Sequence, residues 1–190
     1  QELAHWGERI DAMRSAWVDA FLPIFEETLA GLMPLPDLQL RYSRGWDRSR
    51  TLSEVLQRGR GVDRQMGFTQ QGPQRADLAI RLNRRPAVEV LSRGQQKLVV
   101  SALKLAQGRL LEATTGRSCL YLIDDLPADN AHRRVFCQWL ESMHCQAFIA
   151  RVDHDALADM WQPATPVSMF HVKRSEQGEG RLMPLERQTS

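Results

Sequence analysis

Two short runs have the residue types and spacing for phosphate chemistry. The first is Leu91-Ser92-Arg93-Gly94-Gln95-Gln96-Lys97, a polar turn that opens a long amphipathic stretch. Ser followed three positions later by Gln is a capping box, in which side chain and backbone satisfy each other's orphan groups. That use is purely structural. The same tip also leaves N–H groups and a hydroxyl at the positive end of a helix dipole, where phosphate binds, and Gly94 lets the backbone approach an anion closely. The second run is Cys119-Leu120-Tyr121-Leu122-Ile123-Asp124-Asp125, an apolar strand ending in two carboxylates. Ligands of open α/β sheets sit beyond the carboxyl ends of strands. There Asp124 can hold magnesium through its waters, and Asp125 can orient or deprotonate an attacking water. An apolar strand ending in two acids can equally be a solvated strand end. The distinguishing feature is that Asp124 follows Ser92 by 32 residues, with one helix between them. A Gly-x-x-x-x-Gly-Lys-Ser/Thr loop to cradle the remaining phosphates occurs nowhere in the 190 residues. The chain reads as half of a nucleotide machine.

The elements that must position these groups follow from periodicity. Residues 2–32 read as a helix, since Trp6, Ile10, Met13, Trp17, Ile24 and Leu29 recur near helical spacing. Pro23 should kink or split it. Leu38–Tyr42 alternates as a strand. Thr51 or Ser53 caps a helix over 52–66. Gly72-Pro73 is a turn, and Asp77–Leu82 is a strand. Asn83-Arg84-Arg85-Pro86 reads as a hairpin turn, with Ala87–Val90 as the return strand. The second half alternates helices and apolar strands: helix 94–113, strand 119–123, helix 130–143, strand 146–150, a short helix near 154–161, strand 166–172 and a polar tail. The strand at 119–123 is apolar on both faces, as a central sheet strand is. This pattern indicates α/β architecture, a sheet layer with helical cover.

Composition sets limits. A chain with 43% hydrophobic and 25% charged residues folds into one or two globular domains. No run of about 18 apolar residues exists, so no membrane span is expected, and no secretory signal is visible. The chain opens on Gln1 rather than Met, which fits a fragment or a processed chain. Cys119, Cys137 and Cys145 are odd in number and form no Cys-x-x-Cys. They read as buried thiols of a reducing, cytoplasmic environment and lack zinc-ligand spacing. Among the histidines, His154 follows strand 146–150, and Asp153 beside it suits a helix N-cap; a phosphate-sensing role for His154 is only what a resemblance to ABC-type ATPases implies. Net charge is only +2. The basic residues are uneven, however: Arg41, Arg44, Arg48, Arg50, Arg58, Arg60 and Arg64 face only Asp47, Glu54 and Asp63 over residues 41–64. Such a stripe can hold a nucleic-acid backbone; it can equally be a solvated face.

Leu91–Lys97 and Tyr121-Leu122-Ile123-Asp124-Asp125-Leu126-Pro127 resemble the RecF family, bacterial recombinational-repair ATPases of the SMC/ABC type. Gln71-Gly72-Pro73-Gln74-Arg75-Ala76-Asp77 is similar to that family's Gly-Pro-His-Arg/Lys-x-Asp segment, and Arg44-Gly45-Trp46-Asp47 and Cys145–Ile149 also fit. The resemblance runs over nearly the whole chain and corresponds to the C-terminal half of such a protein. It implies an ABC-type ATPase head, of which 67–190 is the C-terminal part of the phosphate-loop sheet with its helical cover, plus a helical arm whose later part is 1–66. It implies ATP and Mg2+ as cofactors and a homodimer closed by ATP. Ser92, Arg93, Gly94 and Gln95 would contact the γ-phosphate held by the opposite subunit. Asp124 would bind magnesium, Asp125 would take the catalytic-base position, and Asp129 would lie in the loop that reaches across the dimer. It further implies DNA binding at duplex near single-strand gaps, with RecR and RecO as partners in loading recombinase. One departure is that Pro127-Ala128-Asp129-Asn130 is two residues shorter than the family's Ser-Glu-Leu-Asp stretch. Two alternatives remain: a non-catalytic dimerisation and DNA-contact scaffold, and an unrelated magnesium phosphohydrolase using Asp124 and Asp125.

Overall fold

The computed structural model describes residues 2–124, 126–127, 129–150, 160–174 and 180–185. They fall into two compact units, 1–152 and 153–190. The first begins with a single helix, α1 (Glu2–Leu32). It continues unbroken past Pro23, where the sequence reading placed a kink or a break, so the helix is not split there. An interior proline removes one backbone hydrogen bond and costs about 3 kcal/mol. Phe21, Phe25, Thr28, Leu29 and Leu32 are buried around it. Each large apolar side chain so buried contributes about 1.5–3 kcal/mol, so tertiary packing outweighs the local defect.

β1 (Leu38–Ser43) pairs antiparallel with β2 (Asp77–Leu82), from Leu38 opposite Leu82 to Ser43 opposite Asp77. Between them lies α2 (Leu52–Met66), opened by a complete Thr51–Glu54 capping box and closed by Gly67 in the left-handed region. Its Leu52 and Val55 pack with Ala4, Trp46 and Leu56 in a small cluster. The Gly72–Asp77 segment latches this corner. Gly72 N–H donates to Gly45 O at 3.0 Å, and Arg14 donates to Pro73 O at 2.7 Å. Gly45 has φ +90, and a Cβ there would strike the Gly72 carbonyl and the Arg75 backbone, so only glycine fits.

The hairpin after β2 is tighter than its sequence suggests. Asn83 and Arg84 both take positive φ, 49 and 69, and make the whole turn. The return strand β3 is Arg85–Pro86. Ala87–Val90, expected as a strand, is a single helical turn, α3. A two-residue turn brings the return strand on early, and Pro86 has no N–H with which to extend the ladder.

α4 (Arg93–Thr115) is the longest element packed on α1, and it buries Leu98, Val99, Ala102, Leu105, Ala106 and Leu110. Two consecutive residues join it to everything around it. Arg109 donates to Thr28 Oγ1 at 2.9 Å and to Glu27 at 3.0 Å on α1, and its guanidinium lies 5.2 Å from the Trp139 ring centroid. Gly108 faces β4 (Leu120–Ile123), with no room for a Cβ beside the Tyr121 hydroxyl. Burial raises the pKa of that phenol, and the hydroxyl has no hydrogen-bond partner among the described residues.

β4 pairs in parallel with β5 (Gln146–Ile149), and α5 (Asn130–Ser142) provides the crossover. The sequence reading made β4 a central strand. Among the described residues it has one neighbour, and Leu120, Leu122 and Phe148 are exposed on one face. In the second unit, β6 (Met169–Arg174) pairs antiparallel with β7 (Gly180–Leu185). The expected strand 166–172 is therefore shifted, and part of the expected polar tail is a strand, because Leu182 and Met183 supply pairing residues opposite Val172 and His171. The helix expected near 154–161 lies mostly outside the described residues.

Replacing Gly108 with Ala should lower stability by about 1–3 kcal/mol, the usual cost of overpacking. Tyr121→Phe removes an unpaired buried hydroxyl and should leave stability unchanged or slightly raised. Urea denaturation followed by circular dichroism separates the two; equal losses would show that the hydroxyl contact does not limit this junction.

Candidate functional site

The tip of α4 is built by its own sequence. Leu91 is buried and anchors the corner, and Leu91 N–H donates to Ala87 O at 2.9 Å, closing the α3 turn. Ser92, with extended backbone, is the N-cap. Its Oγ accepts Gln95 N–H at 3.3 Å, and the Gln95 side-chain oxygen accepts Ser92 N–H at 2.9 Å. Because that hydroxyl acts as an acceptor, its own proton is left to donate outward. The N–H groups of Arg93 and Gly94 make no hydrogen bond among the described residues. Ser92, Arg93 and Gly94 are exposed, and Gln95 is half-buried. The nearest atom to a Cβ built on Gly94 is Ser92 Oγ, at 4.0 Å. Nothing among the described residues requires a glycine at 94, although glycine costs a helix roughly 0.5–1 kcal/mol relative to alanine.

Gln96 is a residue the sequence reading passed over. Its amide donates to Val88 O at 3.1 Å and to Leu91 O at 2.9 Å. It thereby staples α3 to α4 and fixes the direction in which the tip points. The available signal was a second glutamine in the first turn, beyond the one a capping box uses.

At the other end, β4 delivers Asp124, whose side chain is exposed and makes no hydrogen bond among the described residues. Asp125 and His154 lie outside the described residues. Leu126 and Pro127 are buried directly after the strand. Arg133, itself 7% exposed, donates to Pro127 O at 3.0 Å and to Asn130 Oδ1 at 3.1 Å, clamping the loop. Asp129 caps α5: one oxygen accepts His132 N–H at 2.9 Å, and the other lies 2.6 Å from His132 Nδ1. The hydrogen bond from the His132 backbone, followed by that from its ring, holds the Asp129 carboxyl below its usual pKa.

Geometry separates the tip from the strand end. Ser92 lies sixteen residues from Gly108 along α4, about 24 Å at helical rise. Asp124 lies three residues beyond Tyr121, about 10 Å of strand. Gly108 meets Tyr121 at its hydroxyl, the far end of a long side chain, so the tip and the strand end are carried by two different elements that touch partway along α4.

The candidate DNA-binding arginines divide into two sets. Arg44 donates to Asp47 O at 3.0 Å and Arg50 O at 2.7 Å, pairs with Asp11 at 3.6 Å and covers the Trp46 ring. Arg48 donates to Tyr42 O, Arg50 pairs with Asp47 at 3.6 Å, and Arg41 donates to Gln39 at 3.0 Å. These four brace β1 and the loop into α2. Arg58, Arg60 and Arg64 are exposed on α2 and make no hydrogen bond among the described residues. Among the described residues there is no cluster of three or more metal-ligating side chains and no helix long and apolar enough to cross a membrane.

No protein-family model matches this chain. It is 63% identical over 185 residues to the DNA replication and repair protein RecF of Chromohalobacter salexigens, covering 96% of this chain and 50% of that protein. It is 52% identical over 178 residues to the RecF of Pseudomonas aeruginosa, covering 93% and 48%. The chain thus spans about half the length of the curated relatives it matches. Its fold is similar to a structure described as the recombination mediator protein RecF with ATP in the RecFOR pathway (TM-score 0.70, 20% identity, 96% of this chain and 48% of that one). It is also similar to an SMC ATPase structure described in terms of ATP-driven dimerization and DNA-stimulated activation (TM-score 0.54, 16% identity, 92% and 89%).

The Asp129 cap has a pH signature. A folded-state pKa held below 3.8 contributes stability that is fully present above 3.8 and lost as pH falls through the lower folded value. The melting-temperature difference between wild type and Asp129→Ala should be constant from pH 5 to 7 and shrink below about pH 4; a difference that persists unchanged there would exclude the carboxylate as its source.

Proposed function

The chain belongs to the RecF family, of whose matched members it spans about half, and from that premise we propose that it supplies the signature-helix and aspartate-strand part of an ATP-dependent, DNA-binding recombination mediator. In this reading, residues 1–66 are the later part of the arm and 67–190 belong to the head. The observation that carries the proposal is the α4 tip: an exposed serine hydroxyl and two N–H groups unpaired among the described residues, beside a glycine that none of those residues requires. Such a tip suits the terminal phosphate of a nucleotide held by another subunit.

The roles follow from the donors. Ser92 Oγ–H and the Gly94 N–H would bind the γ-phosphate, and Arg93 and Gln95 would flank it. Mg2+, when present, neutralises phosphate charge. Magnesium sites use one or two carboxylates plus phosphate oxygens and waters, and the unpaired, exposed carboxylate of Asp124 fits that donor set. Asp125 is proposed as the base that orients the attacking water, and His154 as a phosphate sensor after β5. Asp129 is proposed to stay with its own α5, where its oxygens are already engaged, rather than to reach far across a dimer.

DNA at gaps is the proposed polymer, gripped chiefly by Arg58, Arg60 and Arg64. RecR and RecO are the proposed partners, and the cytoplasm the proposed location. A second reading, a scaffold without catalysis, is favoured for the chain in isolation by the missing phosphate loop.

Two measurements test this in a full-length protein that joins this chain to the remaining half of the Chromohalobacter protein. Ser92→Arg should abolish dimerisation by ATP and magnesium, read by analytical ultracentrifugation, while the protein still folds cooperatively with only the roughly 0.5–2 kcal/mol loss that removing an N-cap brings. Gly94→Ala should weaken dimerisation while raising helix stability by up to about 1 kcal/mol. ATP-driven dimers that survive Ser92→Arg would refute the tip's role. For DNA, replacing Arg58, Arg60 and Arg64 with Ala should reduce the slope of log affinity against log salt by roughly 2–3, close to one for each phosphate no longer neutralised. An unchanged slope would place the DNA-binding surface elsewhere.

A further inference from the structure

Two thiols stand side by side where β4 and β5 begin. The parallel ladder sets Leu120 opposite Gln146, Tyr121 opposite Ala147 and Ile123 opposite Ile149. One step earlier, the same register sets Cys119 opposite Cys145. Burial alternates along both strands: Leu120, Leu122, Gln146 and Phe148 are exposed, and Cys119, Tyr121, Cys145 and Ala147 are half-buried. Alternate residues of a strand share a face, so both cysteines lie on the covered face, in the row before Tyr121. Side-chain contacts agree. A Cβ built on Gly108 would lie 3.5 Å from Cys119 Sγ, beside the Tyr121 hydroxyl. Burial raises the Tyr121 pKa most, followed by Cys119 and Cys145, which puts both sulfurs near that ring. Both thiols are free of disulfides. Neighbouring strands lie about 4.8 Å apart, within the Cα separations of about 4.4–6.8 Å that a disulfide spans.

We propose that Cys119 and Cys145 are a reversible thiol–disulfide pair, linked by hydrogen peroxide and released by small thiols. Cys119 is the sulfur that reacts first. Cys145 Sγ–H donates to Leu140 O at 3.8 Å, and burial pushes this thiol above its ordinary pKa, so it carries little thiolate. The Cys119 thiolate attacks one peroxide oxygen. An S–O bond forms, the O–O bond breaks, and the departing hydroxide takes a proton to become water. The sulfur is thereby oxidised by two electrons to a sulfenic acid, and the peroxide is reduced. Cys145 gives up its proton and attacks Cys119 Sγ; the S–S bond forms, the S–O bond breaks, and a second water leaves with that proton. The low thiolate content of Cys145 is offset by its position, since attack within one molecule needs no encounter. Cys137 is fully buried on α5 and takes no part. The link closes a ring that contains β4, Asp124, Asp129 and α5. In a reducing compartment such a link is transient and reports oxidation rather than holding the fold together. The pair is independent of the nucleotide chemistry, and its test needs no ATP.

The test uses the full-length protein that joins this chain to the remaining half of the Chromohalobacter relative. It is reduced, then treated with hydrogen peroxide until about half of added N-acetylmethionine has become sulfoxide. Trypsin and a glutamate-specific protease, which cuts at Glu141 between Cys137 and Cys145, allow mass spectrometry to locate the link. Most molecules should carry Cys119–Cys145 within one chain, and dithiothreitol should restore both thiols. In Cys145→Ala the sulfenic acid has no resolving partner, and dimedone labelling of Cys119 should rise at least about fivefold. In Cys119→Ala, Cys145 should stay reduced; labelling of Cys145 there that equals the labelling of Cys119 in Cys145→Ala would overturn the assigned order. Thiols that both remain open to alkylation at this dose would overturn the pair itself. So would a link through Cys137, or a link between molecules that grows with protein concentration.

Discussion

The contact between Gly108 and Tyr121 joins the two elements that carry the candidate residues. α4 carries Ser92 at its start, β4 carries Asp124 at its end, and the two elements touch where the helix lacks a side chain. Everything else holds that contact in place. Arg109, the next residue, ties α4 to α1 through Thr28 and Glu27 and lies against Trp139 of α5. A helix packed this closely by neighbours on several sides acts as a rigid spacer. The helix that begins at Ser92 and the strand that ends at Asp124 are thereby held in one fixed relation to each other.

The tip shows how a device that caps a helix can also leave hydrogen-bond donors free. A capping box satisfies two groups and leaves the donors of the first turn facing solvent. The hydroxyl receives one hydrogen bond and keeps one to give. Gln96 completes the design from behind by holding the chain before the cap to the helix after it. The tip is therefore pre-organised in the absence of any anion.

Much of this was legible in the sequence because it rests on local rules. Ser92 is a cap read from spacing alone, the α2 cap is Thr51, one of the two residues (with Ser53) that the sequence offered, and β1, β2, α2, α4, α5 and β5 fall where periodicity puts them. What was not legible depends on contacts between distant residues. Pro23 is tolerated because the helix around it is packed, which no window of sequence reveals. The return strand after β2 shortened because Asn83 and Arg84 accept left-handed backbone in sequence. Arg44 looked like a phosphate contact until its guanidinium was found braced by Asp11, Trp46 and two carbonyls. Charge counts cannot distinguish an arginine that builds a loop from one that awaits a ligand. The role of Gly72–Asp77 was equally hidden, since a latch is visible only together with the Gly45 it closes on.

The two-stranded sheet has a consequence for how such a molecule is made. β4 and β5 are parallel, their crossover is complete, and Leu120, Leu122 and Phe148 still face water. Uncovered strands of this kind attract the same strands of another newly made molecule. The yield of correctly folded product then becomes a race between intramolecular cover and encounter with a sibling, and slow synthesis or a holding chaperone tilts that race toward the first.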